Sequence, residues 1–100
     1  MDTIEWAAGI IEGEGCFSNT ARGNELKVTV NMTDEDIIHR LHAAMGVGRV
    51  YGPYQHSKLA KKPYWRWVVQ DKVNATAAMR RLYPLMGNRR RAKIDSLLGE

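Results

Sequence analysis

Hydrophobic and polar positions repeat with two different periods along this chain, and the switches between them mark out its elements. Between Ile4 and Gly13 the spacing is helical: Ile4, Ala7, Ala8 and Ile11 share one face, and Trp6, Gly9, Ile10 and Gly13 gather on another. A helix with two apolar faces needs two partners. Asp2 is placed to cap its first turn, with Glu5 reaching back three residues later, so the helix starts at about Thr3. Gly15 to Asn19 begins a strand that turns through residues 20–24. On the return, Leu26, Val28, Val30 and Met32 alternate with Glu25, Lys27, Thr29 and Asn31, a period of two with one wet face. Thr33 is positioned to cap a second helix with Asp34, Glu35 and Asp36 in its first turn. Ile37, Ile38, Leu41, Ala44 and Met45 face inward, and Gly46 ends it.

A second hairpin pairs Val47–Tyr54 with Tyr64–Gln70. Trp65, Trp67 and Val69 point one way, and Tyr64, Arg66, Val68 and Gln70 the other. Asp71 caps a third helix running to about Tyr83 and carrying Val73, Ala77, Ala78 and Leu82; Pro84 opens a last helix with Leu85, Met86, Ile94, Leu97 and Leu98. The predicted order is αββαββαα, an α+β domain spanning residues 1–100. One antiparallel sheet with helices on one face satisfies every pattern and leaves Lys27, Thr29, Asn31, Arg66 and Gln70 uncovered. A wet face of amides, hydroxyls and guanidinium is what reading base edges in a major groove requires.

Charge sharpens this picture. The net charge of +4 favours an acidic partner, nucleic acid above all. Arg80, Arg81, Arg89, Arg90, Arg91 and Lys93 lie in a stretch without acids, and Lys58, Lys61 and Lys62 form a second basic group. Either group alone reads as a solvated face; with Arg22 and Arg66 they outline a surface. Cys16 is the only cysteine, so an intrachain disulfide and a cysteine-based zinc site are both excluded. No basic run precedes the first apolar stretch and no segment is long enough to span a bilayer. The expected protein is intracellular, in cytoplasm, nucleoid or organelle, and neither secreted nor membrane-bound.

The first helix ends in Glu12 and Glu14 among glycines. Carboxylates at a helix C-terminus oppose the macrodipole, and a hard divalent cation would offset that cost. Two solvated glutamates beside a glycine turn are the alternative. Gly9 and Gly13, one turn apart, would let a second helix backbone come close.

The run Ala7-Ala8-Gly9-Ile10-Ile11-Glu12-Gly13-Glu14-Gly15, with Trp6 before it and Cys16-Phe17 after it, resembles the defining motif of the LAGLIDADG homing endonucleases. Met45-Gly46-Val47-Gly48-Arg49-Val50 is similar to a recurrent family turn, and Tyr83-Pro84-Leu85-Met86 followed by Arg89-Arg90-Arg91 resembles the usual end. The resemblance implies a saddle-shaped sheet in the DNA major groove and motif helices of two copies packed at the centre through Trp6, Gly9, Ile10 and Gly13. It implies that Glu14, beside Gly13, binds Mg²⁺ or another divalent cation such as Mn²⁺ next to a scissile phosphate, while Glu12 supports the helix ends. A single motif implies a homodimer and a nearly palindromic double-stranded target. Both acids are Glu where Asp is frequent, and Ala7 stands where Leu is usual. A polar residue near the end of the second strand is matched by Asn31 or Thr33, and a lysine after the fourth by Lys72.

The expected chemistry is metal-dependent phosphodiester hydrolysis, with Glu14 holding metal and Lys72 offsetting developing charge. Lys27, Thr29, Asn31, Arg66 and Gln70 are candidate base readers; Arg22, Lys58, Lys61, Lys62, Arg89, Arg90 and Arg91 are candidate phosphate contacts. The rival classes are a DNA-binding regulator or RNA maturase-like splicing factor that lost cleavage, and a simple dimerisation module.

Overall fold

The first helix, α1 (Ile4–Glu14), begins one residue later than its acids suggest, because Thr3 is the last residue with extended backbone before the turn. Its hydroxyl accepts from the Trp6 backbone N–H at 3.1 Å and so caps the helix. Asp2, expected in that role, instead forms a two-point pair with Arg40 at 2.8 and 2.9 Å. Those hydrogen bonds hold the Asp2 carboxyl below its ordinary range and raise Arg40 above its own. The computed structural model from which these contacts are read describes residues 2–19, 25–55 and 62–99.

At its far end α1 passes directly into β1 (Gly15–Asn19). A Cβ on Gly15 would lie 2.6 Å from the Ile11 carbonyl oxygen, so glycine is what permits a helix to become a strand without a connecting loop. There follow β2 (Leu26–Met32), α2 (Glu35–Met45), β3 (Arg49–Tyr54), β4 (Tyr64–Val69), α3 (Lys72–Leu82), a 3-10 turn (Tyr83–Leu85) and α4 (Asn88–Leu98). The strands form one antiparallel sheet in the order β1-β2-β4-β3. The αββαββα(α) order and α+β class expected from periodicity are those observed.

Phe17, Val28, Val30, Trp67 and Val69 turn toward the helices and are buried there with Ala7, Ala8, Ile11, Ile38, Leu41 and Met45. The Trp67 indole N–H donates to the Val47 carbonyl at 3.0 Å, which satisfies the one polar atom that this large core residue carries inward. α2 ends at Gly46 as expected, in the left-handed conformation. Its N-cap is Asp34 rather than Thr33, and no side chain bonds the first turn, because Glu35 is the first helical residue.

Two apolar assignments are corrected. The inner face of α3 is Ala75, Ala78, Met79 and Leu82, while Val73 is 77% exposed and Ala77 is exposed as well. The Asp71 cap sets the phase of that helix: Val73 lies two residues, or half a turn, from Ala75. Pro84 sits in the separate 3-10 turn, and α4 starts afresh at the Gly87 cap, so Leu85 is exposed whereas Met86 and Ile94 are buried. No helix among the described residues is long and apolar enough to cross a membrane.

Candidate active site and nucleic-acid face

The two acids at the end of α1 have different surroundings. Glu12 Oε1 accepts from the Gly87 backbone N–H at 2.7 Å, and Glu12 Oε2 lies 3.4 Å from Arg90 Nε, an ionic contact rather than a hydrogen bond. Arg90 donates further to the carbonyls of Gly15 at 2.6 Å and Glu12 at 3.1 Å. Those carbonyls belong to the end of α1, so Glu12 and Arg90 together join that end to the start of α4. Gly87 allows the approach: a Cβ there would stand 2.6 Å from Glu12 Oε1. Glu14 is exposed and makes no hydrogen bond or ion pair among the described residues.

Glu14 opens into a depression of about 280 Å³ shared with Asn31, Met32, Thr33, Asp34 and Tyr64. The end of β2 and the start of β4 meet there because Met32 pairs with Trp65 and Asn31 with Arg66. The polar groups lining it offer oxygen, with one amide, and no imidazole or thiol. Such donors fit a hard divalent cation such as Mg²⁺, which takes one or two carboxylates and completes its shell with water and phosphate. No group of three metal-ligating side chains forms among the described residues.

The uncovered sheet face is built in cross-strand rows. Asn31, Arg66 and Tyr51 form the row nearest Glu14, and Cys16, Thr29, Val68 and Arg49 the next. Ser18 and Lys27 follow, with Gln70 just beyond the Val28–Val69 pair. Arg66 Nε donates to Asn31 Oδ1 at 3.0 Å, and its guanidinium lies 5.7 Å from the Tyr54 ring centre. Lys27, Thr29, Arg66 and Gln70, expected together from alternation, line one hollow of about 180 Å³ with Tyr51, Tyr54 and Val68.

On the other side of α1 the second apolar face stands open. Gly9 and Gly13 are exposed, and a Cβ at either would meet nothing within 4 Å. Trp6 and Ile10 beside them are half-buried, and Arg40 covers the Trp6 ring at 4.8 Å.

No protein-family profile and no curated protein matches the sequence. Solved structures do. The homing endonuclease I-CvuI, solved with its target in the presence of 2 mM calcium, superposes with a TM-score of 0.64 over 93% of this chain, at 14% identity. The archaeal intron-encoded homing endonuclease I-Vdi141I, complexed with DNA, gives 0.63 over 86% of this chain, at 16% identity. The chain has the homing-endonuclease fold. It spans 64% of I-CvuI and 58% of I-Vdi141I, less than two thirds of either.

Within the homing-endonuclease fold the basic residues divide. Lys72 opens α3, whose Asp71 cap and Asn74 line a hollow of about 530 Å³ with Glu25 and Gln70. That hollow lies at the other end of β4 from Tyr64, so Lys72 stands apart from the Glu14 depression within one protomer. Arg90 is likewise turned inward, and Arg91 donates to the Tyr83 and Pro84 carbonyls at 3.1 and 2.9 Å. Both guanidinium groups are thus engaged by backbone carbonyls of their own chain. Arg89 and Lys93 share a hollow with Gly15, Cys16 and Ser18, and neither is paired among the described residues. Lys62 is exposed, while Arg22, Lys58 and Lys61 lie outside the described residues. Asp34, Arg49, Tyr51 and Tyr54 are additions that the sequence reading left out of the site, and Lys93, read there as one of the basic group, joins Arg89. The outward phase of Arg49 and Tyr51 follows once Val50 is known to face inward, whereas the approach of Asp34 to Glu14 depends on the sheet register.

Proposed function

We propose that this chain is a site-specific double-stranded DNA endonuclease that acts as a homodimer on a nearly palindromic target. The observation that carries the reading is Glu14: an exposed carboxylate at a helix C-terminus, unpaired among the described residues and opening on a depression lined with hard donors. Glu14 would hold a divalent cation with the Gly13 carbonyl and the partner copy's equivalents. When bound, the cation supplies Lewis acidity to a phosphodiester and charge neutralisation to its leaving oxygen. Asn31 and Thr33 orient water and phosphate at the same depression, and Arg89 and Lys93 attract the DNA backbone beside it. The open Gly9–Gly13 face brings two copies together so that two Glu14 sites face one duplex. The fold's likeness to DNA-bound homing endonucleases supports this reading.

A second reading, a DNA-binding regulator without cleavage, draws on the place of Lys72 at the far end of the sheet. Incubation with Mg²⁺ and a plasmid library spanning many sites separates the two. Linear products from the native protein, lost on Glu14→Gln and on chelation of the metal, support the endonuclease. Duplex binding with no cleavage by either protein selects the regulator, and cleavage that survives Glu14→Gln overturns the assignment of the metal-binding acid.

A further inference from the structure

We propose that Arg66, held by Asn31 and Tyr54, reads a guanine at one fixed position in each half of the DNA target. The assignment rests on the DNA-binding reading above and adds a base identity to it. Arg66 belongs to β4, an interior strand flanked by β2 and β3. Four strands at about 4.8 Å spacing place the edge strands about 14 Å apart, while the major groove is about 12 Å wide. Interior strands therefore lie over the groove floor, and edge strands meet the phosphates.

The chemistry of the row selects the base. An arginine Nε–H can only donate, so the 3.0 Å contact requires Asn31 to present Oδ1 to it and leaves the Asn31 amide N–H groups facing away. Tyr54 at 5.7 Å restrains the guanidinium plane. Both Nη atoms have no partner among the described residues, so the Arg66 fork itself offers donors and no acceptor. In the major groove guanine presents two adjacent acceptors, N7 and O6. Adenine sets an amine donor beside N7, cytosine presents a donor, and thymine a methyl group beside O4. A donor-only fork whose angle is already held pairs with guanine and leaves an N–H facing an N–H at adenine. Holding the fork before binding also reduces the rotamer entropy lost on contact.

The test is selection of duplexes from a randomised library by the full chain, without divalent metal so that binding is read apart from cleavage. Expected is a guanine at one symmetric position per half-site, and a loss of about ten- to hundredfold in affinity when it is changed to adenine. Arg66→Lys, which keeps the charge, should flatten the preference at that position alone and leave the salt slope unchanged. Asn31→Ala should narrow the guanine-over-adenine ratio without altering other positions. Guanine preference that persists in Arg66→Ala overturns the proposal. So does a uniform loss across all sequences with a salt slope reduced by about one, which would make Arg66 a phosphate contact. A native protein that binds duplex with no such guanine overturns the base assignment only; one that binds no duplex overturns the DNA reading itself.

Discussion

Glu12 and Glu14 are separated by one glycine and are removed at different cost. Glu12→Gln deletes the charge that meets Arg90 and weakens the acceptor for the Gly87 N–H. A charge-assisted bond at a half-exposed position contributes about 1 kcal/mol, which for a domain this size lowers the melting temperature by about 4–8 °C. Glu14→Gln touches no internal partner, so calorimetry should find its melting temperature within about 2 °C of the native value while cleavage is lost. If instead Glu14→Gln melts early and Glu12→Gln does not, the roles given to the two acids are reversed. An E-x-E pair in a sequence cannot be divided this way. What divides it is Gly87, which lies 75 residues away in the chain and meets only one of the two.

At the scale of elements, α1 and α3 carry separate predictions. A glycine inside a helix costs up to about 1 kcal/mol relative to alanine, and no contact among the described residues requires one at position 9 or 13. Gly9→Ala and Gly13→Ala should therefore stabilise an isolated protomer and weaken the dimer. In sedimentation at micromolar concentration the variants are expected to shift toward monomer. A variant that raises melting temperature and leaves association unchanged would show that copies meet elsewhere. In α3 the Asp71 carboxylate accepts from the Asn74 backbone N–H at 2.8 Å and from its side chain at 2.9 Å, and these bonds hold it below its ordinary range. A depressed carboxylate stabilises the fold at pH above its unfolded value, near 4, and that contribution is lost as pH falls through the lower folded value. The Tm difference between native protein and Asp71→Ala should accordingly be present at about pH 6 and shrink as acidification passes the lowered folded value. A difference that grew with acid would contradict the cap.

The whole molecule has a net charge of +4, distributed unequally in kind. Arg81, Arg90 and Arg91 donate to backbone carbonyls of their own chain, whereas Arg89 and Lys93 make no such bond among the described residues. Arg89→Ala and Lys93→Ala are each expected to reduce the salt slope of DNA binding by about one without changing melting temperature. Arg90→Ala should lower the melting temperature first, because it uncouples α1 from α4. Equal effects of all three on the salt slope would indicate that Arg90 leaves its internal partners on binding.

The sequence by itself determined the element order, the wet face of the sheet and the Gly9–Gly13 stripe. Each is a matter of local periodicity, which a chain displays before it folds. It also located α3's cap at Asp71, since a cap needs only its own first turn. The tertiary structure decided which cation reaches which end of the sheet. Lys72 follows β4 in the chain, but antiparallel pairing carries that end away from Glu14 and brings Asn31, Asp34 and Tyr64 to it instead. It likewise decided that Arg90 faces inward and that Asn31 turns its oxygen to Arg66. These are contacts between residues 35 to 78 positions apart. No local pattern encodes them, because they arise only when sheet register and helix docking bring the distant partners together.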